Sequence, residues 1–151
     1  MTNTGKNSEE IWDELWLRFG KRAVTFKLPD SANINGRNRR HAKFIHVPPQ
    51  PADRMLVFDG HMYLCEIKST HDDDRFQFKM LRTQQKSAGV RCAATMPDNC
   101  TMPNLCPYLV YVHRIPTNQW YCVPYDAIVR QQDAGKQSFN WTEMEQFSWT
   151  P

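Results

Sequence analysis

Two acids and a lysine stand in this sequence at a spacing that suits phosphate chemistry. In the stretch PADRMLVFDGHMYLCEIKST, Asp53 lies thirteen residues before Glu66, and Lys68 follows two residues later. Apolar runs at 54–58 and 61–68 flank Asp59-Gly60, a pair that favours the tight hairpin turn whose two central residues both need positive φ. Arms of nearly equal length then fold Asp53 back toward Glu66. Side chains alternate across a strand, so Glu66 and Lys68 project together and Ile67 turns the other way. Paired carboxylates hold a hard divalent cation such as Mg²⁺, with the Ile67 carbonyl as a further oxygen ligand. Such a cation activates water and offsets phosphate charge, and a nearby lysine orients that water or stabilises the developing charge. The competing interpretation is an Asp, a Glu and a Lys on the solvated face of an ordinary hairpin.

The elements that must position these residues follow from periodicity. Residues 8–19 read as a helix: Ser8 suits the N-cap, Glu9 and Glu10 suit the positive N-terminus, and Gly20 suits the stop. Ile11, Trp12, Leu15, Trp16 and Phe19 supply its apolar face. A strand at 23–28 ends at Pro29. Residues 30–51 are polar and rich in Asn, Arg and Pro, with Asn35-Gly36 at the centre, which fits either a projecting two-stranded arm or a loop. After the polar link HDDD, residues 76–88 are expected to form a helix closed by Gly89. Arg75, Lys79, Arg82 and Lys86 would lay a basic stripe along it, with Phe78, Leu81, Gln85 and Ala88 on another face. Strands are expected at 108–113 and 120–123, joined by a turn at 116–119, then a short helix at 124–130. The tail at 131–151 reads as a polar extension with one short helix at 141–146. The order α-β-β-β-α-β-β-α predicts a mixed sheet with helices on its faces.

Composition bounds the answer. A chain of 151 residues, 40% hydrophobic and 23% charged, suits one domain with a real core. No apolar run approaches a membrane span, and the start, MTNTGKNSEE, has no signal-peptide stretch, so a soluble cytoplasmic protein without a membrane partner is expected. The net charge of +3 is less informative than its distribution. Seven basic residues against one acid at 21–43, and five against none at 75–91, suggest a polyanion partner beside the carboxylates. Cys92, Cys100 and Cys106 are separated by eight and six residues with no Cys-x-x-Cys pair, which favours buried or loop thiols over a zinc or iron–sulfur site. Asp72-Asp73-Asp74 fits a second metal site or, more simply, a solvated loop. The five histidines show no ligand spacing.

The stretch around the acids resembles the PD-(D/E)xK nuclease superfamily. Pro51-Ala52-Asp53 stands where Pro-Asp usually is, with Ala52 intervening, and Glu66-Ile67-Lys68 is the Glu-x-Lys. Within that superfamily it is most similar to RecU-type Holliday junction resolvases, over about 8–129: Gly60 in the turn, Thr70 after Lys68, Arg82-Thr83-Gln84-Gln85 on a helix, the strand YLVYVH, then Trp120-Tyr121-Cys122-Val123-Pro124-Tyr125. The resemblance implies a restriction-endonuclease-like α/β fold in a single domain spanning 1–151, with the basic 30–51 segment in the place of a projecting stalk. It implies a Mg²⁺- or Mn²⁺-dependent endonuclease that acts on branched DNA as a homodimer in recombination and repair, and an enzyme of this size suits a phage or mobile element. Asp53, Glu66 and Ile67 would hold the metal and Lys68 would serve the water. Gln85 (or Gln84) would assist, and Glu9 (or Glu10 or Glu14) would be the first-helix acid. Arg37, Arg39, Arg40 and Lys43, with Arg75, Lys79, Arg82 and Lys86, would contact phosphates. The 95–105 stretch is an insertion that the resemblance leaves unexplained.

Overall fold

The computed structural model of the protein describes residues 4–29, 50–94 and 106–150. The chain runs through helix α1 (Thr4–Leu17) and strands β1 (Ala23–Lys27), β2 (Arg54–Phe58), β3 (His61–Thr70) and β4 (Arg75–Gln77). Helix α2 (Thr83–Ala94), strands β5 (Tyr108–Arg114) and β6 (Gln119–Pro124), and helix α3 (Tyr125–Asp133) follow. Strand β7 (Ser138–Asn140) and helix α4 (Trp141–Met144) complete the fold. Five strands form one sheet in the order β1-β2-β3-β5-β6, antiparallel except for the central β3–β5 pair. The result is an α/β fold with a mixed sheet flanked by helices, as the order of sequence elements predicts. Among the described residues no helix is long and apolar enough to cross a membrane.

Alternation along the strands builds two cores. In β5, Tyr108, Val110 and Val112 face one way and join Leu81, Tyr125, Ile128 and Val123; Tyr111 faces the other way and packs with Trp12, Trp16, Leu56, Cys65 and Ile67. Helix α1 thus covers one face, through the aromatic positions that its periodicity supplies. Helices α2 and α3 cover the β5–β6 half of the opposite face. The hairpin turn is as the sequence predicts: Asp59 and Gly60 take φ of 47° and 83°.

Three local expectations are corrected. Ser8 is not an N-cap: the helix begins at Thr4, and the buried Ser8 hydroxyl pairs with His113 Nδ1 at 2.9 Å, on β5. Residues 76–88 are not one helix. Phe76 and Phe78, both fully buried, alternate as strand residues do, and Phe76 pairs with Phe139 in a two-stranded antiparallel sheet of β4 and β7. A single 3₁₀ turn, Phe78–Met80, follows, so Arg75, Lys79 and Lys86 fall on three different elements, Arg82 lies just before α2, and the four do not form one stripe. Gly89 does not stop α2 either. It lies inside the helix, where a Cβ would come within 2.3 Å of the Tyr125 ring, so this glycine is what lets α2 and α3 pack closely.

Residues 138–149 are packed onto the body. Phe139, Trp141 and Met144 are buried in the core. Asn140 and Glu143 close α4 with a reciprocal capping box, a signal present in the sequence as NWTE. The backbone N–H of Trp149 donates to the Trp120 carbonyl at 2.9 Å.

Candidate active site

The β2–β3 ladder ends at Arg54↔Cys65. One step beyond it, equal arms from the Asp59-Gly60 turn set Asp53 opposite Glu66, at a position where facing side chains come closest. Strand β2 stops there, while β3 runs on beside β5, with Glu66 aligned to Val110 and Lys68 to Val112. Ile67 therefore points its backbone N–H and C=O toward a side with no strand. Asp53 Oδ2 accepts the Ile67 N–H at 2.9 Å, and the carbonyl is left directed at the same gap. The segment before Asp53 is pinned from both sides. The Tyr108 hydroxyl donates to the Pro51 carbonyl at 2.5 Å, and the Asp53 carbonyl accepts from the Leu28 N–H at 3.0 Å.

Glu66 is fully buried, and its two oxygens are treated differently. Oε1 accepts from the Gln85 amide and pairs with Lys68 Nζ at 2.6 Å. Oε2 is buried with no N–H or O–H donor on it; the Asp53 carboxyl stands within side-chain hydrogen-bonding reach of Glu66, a contact that two carboxyls make only by sharing a proton. Burial first, then the Asp53 charge, push the Glu66 carboxyl up to about 8 against the opposing pull of Lys68. The same burial, with the Glu66 and Asp53 charges behind it, raises the Tyr108 hydroxyl well above its ordinary value. Gln85 is itself oriented: its side-chain oxygen accepts the Arg82 N–H at 2.7 Å at the start of α2. Its neighbour Gln84 is exposed.

An orphaned buried oxygen beside a second carboxylate can be satisfied by a proton or by a cation. The donor set suits a hard divalent cation: Asp53, Glu66 Oε2 and the Ile67 carbonyl are all oxygen. Among the described residues no three or more His, Cys, Asp or Glu side chains gather as a metal cage. Water and phosphate oxygens would complete the shell, which fits Mg²⁺ or Mn²⁺ and not structural zinc. The site also borders open ground. On the same face, toward β1, Val24, Phe26 and Met62 remain 40–47% exposed, whereas Val110 and Val112 are sealed beneath the helices.

Glu9 is not brought to this cluster. Arg54 points to the opposite face from Asp53, is 4% exposed, and takes both Glu9 (3.1 Å) and Asp13 (2.9 Å). Burial works against the Arg54 charge, but Asp13 and Glu9 outweigh it and raise its pKa. Glu10 and Glu14 are exposed. Arg75, Lys79 and Arg82 are exposed and Lys86 is half-buried; Arg37, Arg39, Arg40 and Lys43 lie outside the described residues, as do the 95–105 insertion and Cys100. Asp72 is a turn-former: its carboxylate accepts the Asp74 and Arg75 N–H groups and the Gln77 amide, which leaves it little capacity as a second metal site.

Sequence reasoning missed Arg54, Asp13 and Tyr108. Asp13 had a detectable signal, since Glu9 and Asp13 are four apart on a helix and present one acidic face. Arg54 and Tyr108 act through contacts across long stretches of sequence, which no local pattern carries. No protein-family model matches the chain, and no curated protein matches it.

Proposed function

We propose that the protein is a PD-(D/E)xK-type endonuclease that hydrolyses DNA with Mg²⁺ or Mn²⁺, and that its substrate is branched DNA, foremost a four-way junction. The observation that carries this reading is the buried Glu66 carboxylate, with one oxygen anchored by Gln85 and Lys68 and the other unpartnered beside Asp53. Asp53, Glu66 and the Ile67 carbonyl would hold the cation, which when bound would supply Lewis acidity at the scissile phosphate. Gln85 and Lys68 keep Glu66 Oε1 occupied, so that Oε2 would be the oxygen available to a cation. Lys68, 16% exposed at its side chain, reaches the solvent edge of the cluster and orients the attacking water or stabilises charge on the phosphate. The basic blocks at 21–43 and 75–91 supply phosphate contacts. Paired cuts across a junction require two such sites, so the working unit is a homodimer.

The test is cleavage of a labelled four-way junction beside linear duplex, flap and single-stranded DNA, with Mg²⁺, Mn²⁺ or EDTA, and with Glu66→Ala as control. Symmetric nicks on the junction alone, lost in EDTA and in the variant, establish the reading. Cutting of linear or flap DNA keeps the site and discards the junction. Tight binding without cutting under any metal overturns the enzyme.

A further inference from the structure

We propose that Arg54 is a positioning residue for Asp53, and that the first-helix acids Glu9 and Asp13 act on the site only through it. The inference rests on the proposed cation site for its second readout and on geometry alone for its first. Arg54 follows Asp53 directly and sends its guanidinium through the covered face of the sheet to α1. Nε and Nη2 bond to the Asp13 carboxylate at 2.9–3.2 Å. Nη1 bonds to Glu9 at 3.1 Å and also donates to the Asp53 carbonyl at 3.1 Å. One planar fork therefore ties α1 to the main chain of the residue whose carboxylate caps Ile67. Two acids on one buried cation fix the guanidinium in its plane, and the guanidinium fixes the Asp53 peptide. A lysine offers the charge without the fork. This assignment gives Glu9 a role without making it a ligand.

The experiment compares Arg54→Lys, Glu9→Gln and Asp13→Asn with the parent protein. The first readout is amide hydrogen exchange of Ile67, whose N–H is held by Asp53 Oδ2, against Glu66 and Lys68, whose amides face β5. The second is Mn²⁺ binding by titration calorimetry without DNA, with Asp53→Asn as the reference for a lost ligand. The expected result for Arg54→Lys is at least about tenfold loss of Ile67 protection with the Glu66 and Lys68 amides unchanged, and about tenfold weaker Mn²⁺ binding, the range for partners that orient a metal ligand. Glu9→Gln and Asp13→Asn should each produce a smaller change of the same kind, adding nothing to Arg54→Lys when combined with it. Unchanged Ile67 protection in all three overturns the proposal, as does loss of Mn²⁺ in Glu9→Gln equal to that in Asp53→Asn. Should Arg54→Lys not fold, the Glu9→Gln and Asp13→Asn arms decide alone. If the parent protein binds no Mn²⁺ while Ile67 responds as expected, the cation site fails and the positioning role stands.

Discussion

The protein holds two acid pairs, linked through the adjacent residues Asp53 and Arg54 and lying on opposite faces of one sheet, and resolves them in opposite ways. On the α1 face, Glu9 and Asp13 straddle the guanidinium of Arg54, and the negative charge has a buried cation between it. On the other face, Asp53 and Glu66 stand together with Lys68 and Gln85 both committed to one oxygen, and the second oxygen of Glu66 has no partner. The first pair is satisfied and therefore structural. The second has no such cation within it, at a fold position that borders exposed residues, and burial with the Asp53 charge beside it raises the Glu66 carboxyl to about 8; this contrast is what supports the cation site proposed above. A count of acidic residues would rank the two alike; the accounting of donors separates them.

The comparison breaks first at Glu66. Glu66→Gln should keep the Gln85 contact region intact yet lower DNA cleavage by about three orders of magnitude, since a neutral amide is a poor ligand for a hard cation. Cleavage kinetics under saturating Mg²⁺ check it, and near-parental rates would remove the site from the chemistry. Arg54→Met probes the satisfied pair: it leaves two partly exposed acids, with side chains 27% and 35% exposed, facing each other without their cation, and should destabilise the fold by about 1–3 kcal/mol in urea denaturation. A loss near zero would show that solvent reaches Glu9 and Asp13 freely.

The next test uses pH. Glu66 binds a proton in the folded protein up to about 8, against 4.5 for the ordinary carboxyl, so between those values the folded state holds a proton that the unfolded chain has released. Stability without divalent cations should thus fall as pH rises through that window, approaching a slope of about 1.4 kcal/mol per unit. Glu66→Gln should flatten this slope and be the more stable protein at pH 8, which sets function against stability at one residue. Denaturation midpoints at pH 5, 6.5 and 8 decide the sign. The smallest effect sharpens the contrast: Asp13→Asn retains a hydrogen-bonding group and leaves Glu9 on Arg54, and should cost about 1 kcal/mol, with the pH slope of Glu66 unaltered.

Much of the unsatisfied pair was legible in the sequence, because a hairpin turn and strand alternation are local rules. Asp-Gly fixes the turn, the turn fixes which residues face each other, and Glu66 and Lys68 must share a side. The identity of the assisting amide was open between Gln84 and Gln85 until the helix face was known. The satisfied pair was half legible: the acids of α1 were visible, but their partner Arg54 lies 41 residues from Asp13. The errors have the same cause. Residues 76–88 carry helical spacing, yet Phe76 pairs with Phe139 in strands of three residues, too short to leave a period of their own. Ser8 looked like a cap because such residues usually bond nearby; here its partner is His113, separated by 105 positions.

One consequence of the hairpin reaches beyond its own contacts. Asp53 stands six residues before Asp59 and Glu66 six after Gly60, so the two-residue turn acts as a parity device about 20 Å from the two carboxylates at strand spacing. A third residue inserted between Asp59 and Gly60 would shift one arm by a single step, turn Arg54 or Cys65 into the cluster and send a carboxylate to α1. Loops on protein surfaces ordinarily accept changes in length. This one sets which side of the sheet the acid is on, so its length binds the Asp53–Glu66 pair as firmly as the identity of either residue.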